Sequence, residues 1–111
     1  NNTLPYPFSM TDVLQAIKDI VHTYPSEVEA YLFGSRARGD NRPDSDWDVL
    51  LILDKDKVSF EDHSAYSYPL RELGWDVDAE INPILFSRSQ WQRQEQTTLF
   101  YHNVISERVK L

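Results

Sequence analysis

Two carboxylates one residue apart, Asp46 and Asp48, stand at the head of an apolar run that reaches Leu53. On a strand such a pair points to one face, about 6.5–7 Å apart along the backbone. Side chains of that reach can straddle metal ions about 3.5–4 Å apart, the spacing of two-metal phosphoryl and nucleotidyl transfer. Hard oxygen ligands favour Mg²⁺, which keeps waters and recruits phosphate oxygens from a substrate. Ten residues, Arg36 to Ser45, separate this pair from Gly34-Ser35. A glycine and a serine where a strand gives way to a helix can hold phosphate with backbone N–H groups and a hydroxyl. Arg36 is a candidate phosphate contact, and Arg38 reads as a helix charge. Asp78 and Glu80 form a second alternating acidic pair. Either could reach the metals or serve as general base to an attacking hydroxyl.

These residues need elements to bring them together. The first is a helix from about Met10 to Tyr24, capped by Ser9, with Asp12 in its first turn and Val13, Leu14, Ile17, Ile20 and Val21 as its apolar face. Pro25 stops it. Val28 to Phe33 reads as a strand, Ser35 to Arg38 as a helical turn closed by Gly39, and Asp40 to Ser45 as a turn-rich connection. Trp47 to Leu53 has the near-continuous apolar character of a doubly covered central strand. Ser59, with Asp62 three residues on, starts a helix to about Leu73 that Pro69 should break or kink and Gly74 should close. Asp76 to Leu85 alternates as a strand, with Val77, Ala79 and Ile81 opposite Asp78, Glu80 and Asn82. Ser87 or Ser89 caps a last helix of about Gln90 to Tyr101, and Val104 to Leu111 adds a further turn or helix. The order α-β-(short α)-β-α-β-α gives an α/β (α+β) fold, a small mixed β-sheet packed against helices.

Composition narrows the classes. A chain of 111 residues is one domain, read as 10–111 behind a loose N-terminal arm of residues 1–9, with Met10 a candidate start. There is no cysteine, hence no disulfide or thiolate site, which suits a cytoplasmic location. The formal charge of −7 argues against broad binding to nucleic acid or an anionic membrane. No apolar run approaches the roughly 20 residues of a membrane span, and no signal-peptide pattern is present. Asp44-x-Asp46-x-Asp48 does not continue as a calcium loop, because Val49 and Lys55 stand where glycine and glutamate are required. His22, His63 and His102 lack ligand spacing. Trp47 alternates away from the acids and reads as packing; Trp75, Trp91, Phe100 and Tyr101 read as core or as interface, which leaves a homo-oligomer open.

The phrase Leu-Phe-Gly-Ser-Arg-Ala-Arg-Gly (32–39), followed by Arg42-Pro43-Asp44-Ser45-Asp46-Trp47-Asp48, resembles the signature of the DNA polymerase β-like nucleotidyltransferase superfamily, and in particular its minimal nucleotidyltransferases, the MNT proteins. The resemblance implies the polymerase β-like fold and transfer of a nucleoside monophosphate, AMP from ATP or another nucleoside triphosphate, with two Mg²⁺ ions. It implies that Gly34 and Ser35 hold the triphosphate and that Asp46 and Asp48 hold the metals. The family's third carboxylate matches Glu80 in Glu-Ile-Asn-Pro-Ile, with Asp78 as the competing position; the family more usually has aspartate there. Minimal forms are often encoded beside a HEPN-domain protein and resemble antitoxins, some of which adenylylate the partner toxin on tyrosine. Two other roles fit the same residues: an antitoxin that acts by binding alone, and the catalytic half of an aminoglycoside-type enzyme.

Overall fold

The structure, a computed structural model, describes residues 10–95 and 98–111. In chain order its elements are α1 (Met10–Val21), β1 (Val28–Phe33), α2 (Ser35–Arg38), β2 (Trp47–Leu53), α3 (Phe60–Asp62), a π-helical turn (His63–Ser67), α4 (Tyr68–Val77), β3 (Ile81–Ser87), α5 (Arg88–Gln94), α6 (Leu99–Glu107) and β4 (Val109–Lys110). The expected arm at residues 1–9 and the Ser9 cap lie outside the described residues.

The apolar run after the two acids is the spine of the fold. β2 pairs antiparallel with β1 and parallel with β3, and β4 joins the far side of β1, giving the order β3-β2-β1-β4. A parallel pair needs a long crossover, and the helical stretch from α3 to α4 supplies it. Apart from Asp48, every residue of β2 is buried. Trp47, Val49, Leu51 and Leu53 pack against Val13, Ile17 and Val21 of α1 and Leu70 and Val77 of α4. Leu50 and Ile52 face the other way, onto Phe33, Trp91 of α5 and Val104 of α6. Both faces of the strand are therefore covered, as its composition requires. Asp48, alternating with Trp47 and Val49, falls on the α5–α6 side.

The main departure from the sequence reading lies between Pro69 and Ile81. Pro69 sits in the first turn of α4, where a missing N–H costs little. The wider π-helical turn before it lets Tyr68 N–H bond to the His63 carbonyl five residues back, so the helix continues. Gly74 does not close it. An added Cβ there would lie 2.6 Å from the Ala79 carbonyl, so this glycine serves close packing of α4 against the chain that follows. The helix stops at Asp78, whose φ of 55° is left-handed. Val77 faces the core from the helix, β3 starts at Ile81, and Asp78 is not a strand residue.

Smaller differences have equally local causes. α1 ends at Val21, where Thr23 and Tyr24 N–H groups tighten onto carbonyls three residues back, ahead of Pro25. Ser87, not Ser89, caps α5, in a reciprocal box with Gln90. The single helix expected over about Gln90–Tyr101 is instead two: α5 ends at Gln94, and Thr98, accepting the Tyr101 N–H, caps a new helix, α6, from Leu99 to Glu107, followed by the short β4.

No helix among the described residues is long and apolar enough to cross a membrane.

The start of the crossover allows a stability test. The Asp62 carboxylate accepts the Ser59 N–H at 2.8 Å and the Lys55 ammonium at 2.9 Å, while the Ser59 hydroxyl accepts the Asp62 N–H. Burial pushes the Asp62 carboxyl up, but the Ser59 and Lys55 bonds outweigh it and hold it below its ordinary value. Asp62→Ala is expected to cost about 1–2 kcal/mol at pH 7, the scale of a lost helix cap. A carboxyl depressed in the folded state stabilises above its unfolded pKa of about 3.9 and loses that contribution as pH falls through the folded value. Urea titrations should therefore show the gap between wild type and Asp62→Ala narrowing below about pH 4. A gap that persists undiminished there would mean that the lost contact is packing, not charge.

Candidate active site

The Gly34 turn and the acids of β2 meet because β1 and β2 are antiparallel neighbours. Phe33, the last residue of β1, is in register with Asp48, so the residue after it turns directly over the Asp48 side chain. Gly34 has φ 78° and ψ −161°, a region that side-chain-bearing residues avoid. A Cβ at this position would lie 2.3 Å from Asp48 Oδ2. Glycine is what allows the backbone and the carboxylate to approach so closely. The Ala37 and Arg38 N–H groups bond back to the Gly34 carbonyl, and Gly39, in the left-handed region, donates to the Ser35 carbonyl. The result is a tight one-turn helix with Ser35 at its mouth.

On the other side of β2, the parallel register sets Asp48 opposite Asn82, and the Asn82 amide donates to Asp48 Oδ1 at 3.3 Å. Burial pushes the Asp48 carboxyl above its ordinary value and the Asn82 bond pulls it back; the charges of Asp46 and Glu107 push it up, and Arg38 opposes them. Asp46 is exposed at the strand mouth. Just ahead of the first pair of that register, Trp47 with Ile81, the Glu80 carbonyl accepts the Trp47 N–H at 2.8 Å, and the Glu80 side chain is exposed. Asp78 is also exposed, but it caps α4 and does not alternate with Glu80 on a strand. The expected shared strand face of Asp78, Glu80 and Asn82 is thus corrected: of the three, Asn82 alone lies on β3, and Glu80 stands one residue ahead of it. Among the described residues no three histidine, aspartate or glutamate side chains are gathered as a ready metal-binding group.

Arg36 is turned away from the Gly34 cradle. Its guanidinium donates to the Ser45 carbonyl at 2.9 Å and the Pro43 carbonyl at 3.1 Å, and it lies 4.2 Å from the centre of the Trp47 ring. It thereby pins the loop between α2 and β2, which fixes where Asp46 emerges. Arg38 instead faces the cradle's rim, paired with Asp40 at 3.1 Å and Glu107 at 3.0 Å.

Glu107 and Asn82 are site residues that motif reasoning passed over. Glu107 ends α6 and accepts the Gly34 N–H at 2.6 Å from a position 73 residues away. No local pattern marks it; only the packing of α6 on the sheet does. Asn82 was visible as a polar-face strand residue, but its place opposite Asp48 depends on register.

A cleft of about 830 Å³ lies apart from the two aspartates, neither of which lines it. It opens on the α1–α4 side between Pro43, Asp44, Trp75 and Asp78, and Arg36 and Glu80 also line it.

Residues 14–105 match the nucleotidyltransferase domain family. No curated protein sequence matches significantly. Among solved structures, a toxin–antitoxin crystallised with AMP-PNP superposes with a TM-score of 0.57 at 15% identity, over 86% of this chain and 69% of that one. A mutant of the toxin–antitoxin MntA–HpeT gives 0.56 at 15% identity, over 88% and 70%. A Sulfolobus solfataricus protein described as a nucleotidyltransferase gives 0.53 at 21% identity, over 91% and 78%. At these identities the likeness concerns the fold.

Proposed function

The chain belongs to the nucleotidyltransferase domain family, and on that premise we propose that it transfers AMP from ATP to a hydroxyl of a protein partner, a tyrosine of a HEPN-type toxin. The observation that carries this reading is the packing of the Asp48 carboxylate against the Gly34 turn, 2.3 Å from where a Cβ would stand. It sets the turn proposed to cradle phosphate directly against the strand end proposed to hold metal. Asp46 and Asp48 offer hard oxygen donors at alternate positions, one exposed and one half-buried, which suits Mg²⁺ with open positions for phosphate oxygens and water. The magnesium ions, when bound, supply charge neutralisation at the triphosphate and at the departing pyrophosphate. Gly34 N–H and the Ser35 hydroxyl orient the triphosphate. Glu80, whose carbonyl is bonded to the Trp47 N–H between the two aspartates, completes the acid set or takes the proton of the attacking hydroxyl. A toxin–antitoxin pair among the similar folds, and the acidic surface of a chain carrying −7, support a protein acceptor over nucleic acid. The cytoplasm is the compartment this role requires.

The test is incubation with labelled ATP and Mg²⁺, with and without the product of the neighbouring gene. Label on the partner is the expected result, and it should vanish in EDTA. Two variants sharpen it. Glu80→Gln is expected to lower single-turnover transfer by about 10²-fold, the scale of a lost acid–base group. Asp78→Asn should leave the rate near wild type, because asparagine also accepts a left-handed cap. The reverse order would return the third acid to Asp78. Two mild effects, with tight partner binding, would favour an antitoxin that acts by masking alone.

A further inference from the structure

The Gly34 cradle already holds a carboxylate of this chain. Resting on the nucleotide-transfer reading above, we infer that Glu107 is an internal competitor for the triphosphate: it closes the cradle in the nucleotide-free protein and is displaced when a nucleoside triphosphate enters.

Glu107 Oε2 accepts the Gly34 N–H at 2.6 Å, and its Oε1 accepts Arg38 Nη1 at 3.0 Å. A backbone N–H and a guanidinium are both donors that phosphate oxygens commonly take. The Glu107 side chain is 14% exposed, so it fills this space and does not graze it. Its position is not explained by the needs of its own helix. Glu107 is the last residue of α6, where the exposed carbonyls make a negative charge unfavourable. It also adds a like charge near Asp48, whose carboxyl it pushes up. Those costs are offset by the two bonds at the cradle, and both bonds are exchangeable for bonds to phosphate.

The segment that carries Glu107 is built to hold it there and to let it go. Immediately after it, Val109 and Lys110 form only two register pairs with Leu32 and Tyr31 on the edge of the sheet. Arg108 lies over the Tyr31 ring, 4.3 Å from its centre. A side-chain rotation at Glu107 leaves these anchors in place. The carboxylate can therefore swing out without unfolding α6 or β4. While it sits in the cradle, the triphosphate meets a negative charge in addition to the acids proposed to hold the metals. The apparent nucleotide affinity falls in proportion to the fraction of molecules whose cradle is open.

The experiment is calorimetry of the full chain with ATP and saturating Mg²⁺, alongside amide NMR of Gly34. Glu107→Gln keeps the shape and removes the charge; it is expected to bind Mg·ATP about 10-fold more tightly than wild type, as for a cradle closed about nine-tenths of the time. The Gly34 amide proton should resonate far downfield in the free wild type. It should move upfield in Glu107→Gln and shift on adding Mg·ATP. Should Glu107→Gln fail to fold, Glu107→Asp carries the test: its shorter side chain loosens the grip, and its affinity should lie between wild type and 10-fold tighter. The inference is overturned if wild type binds Mg·ATP in an Asp48-dependent manner while these variants bind equally or more weakly. It is equally overturned if the Gly34 amide is unmoved by nucleotide. If wild type and both variants all fail to bind Mg·ATP, the nucleotide-transfer reading falls with it.

Discussion

Asp46→Asn and Asp48→Asn should each lower nucleotide transfer by on the order of 10³-fold or more, while both proteins stay folded. Neither side chain belongs to the packed core. Asp46 is exposed, and Asp48 is the single residue of β2 that is not buried. Each substitution removes one negative charge from the position where a divalent cation would be held, and asparagine keeps nearly the same shape. The stability effect should run opposite to the activity effect for Asp48. Burial and the charges of Asp46 and Glu107 raise its pKa, so the ionised carboxylate is carried at a cost in the folded protein. An acid raised in the folded state costs stability at pH values above its unfolded pKa, and a neutral asparagine removes that cost. Thermal unfolding of Asp48→Asn at pH 7 should accordingly occur at or above the wild-type temperature. Transfer within 10-fold of wild type in either variant would sink the proposal that these two carboxylates carry the chemistry.

Much of this site was legible in the sequence because its key residues sit at turning points of regular elements. The strand limits Val28–Phe33 and Trp47–Leu53 and the short helix Ser35–Arg38 were readable from one glycine at each end of the helix and an uninterrupted apolar run. Antiparallel pairing of those two strands then brings Gly34 and Asp48 together. The third segment was less legible because two signals competed. Val77, Ala79 and Ile81 alternate as in a strand, but Val77 also completes the apolar face of α4, and burial against α1 decided for the helix. Gly74 looked like a terminator; in the folded chain it is the point where α4 and the approach to β3 nearly touch. Pro69 looked like a breaker, yet a π-helical turn placed it where proline is harmless. Arg36 illustrates another limit. Its type and place fit a phosphate contact, but carbonyl acceptors on the loop and the face of Trp47 were nearer. Glu107 was out of reach for a different reason. Its partner Gly34 lies 73 residues away, and a lone glutamate near a C-terminus carries no spacing to read.

Gly34→Ala should abolish transfer and also destabilise the fold, and the two losses should separate in a double mutant. An alanine here meets two obstacles. Its backbone would have to hold φ 78° and ψ −161°, a region that costs about 1–3 kcal/mol for a residue with a side chain. Its Cβ would also lie 2.3 Å from Asp48 Oδ2 and 3.3 Å from Asp48 Cγ. Something must shift, and the movable partner is the Asp48 carboxylate, whose exit from this position removes the proposed metal ligand. The remaining Asp48 contact is ordinary, since Cβ lies at 3.5 Å. Truncating Asp48 to alanine therefore clears the clash without touching the backbone term. In Gly34→Ala/Asp48→Ala the loss of stability should be smaller than the sum of the two single losses, by an interaction on the order of 1 kcal/mol or more. Activity should stay absent, because the double mutant lacks both the open turn and the carboxylate. Urea unfolding of wild type, both single mutants and the double mutant measures the interaction, and a labelled-ATP assay reads the other half. Strictly additive stabilities would show that Gly34 is required for its backbone angles alone and that its closeness to Asp48 is incidental.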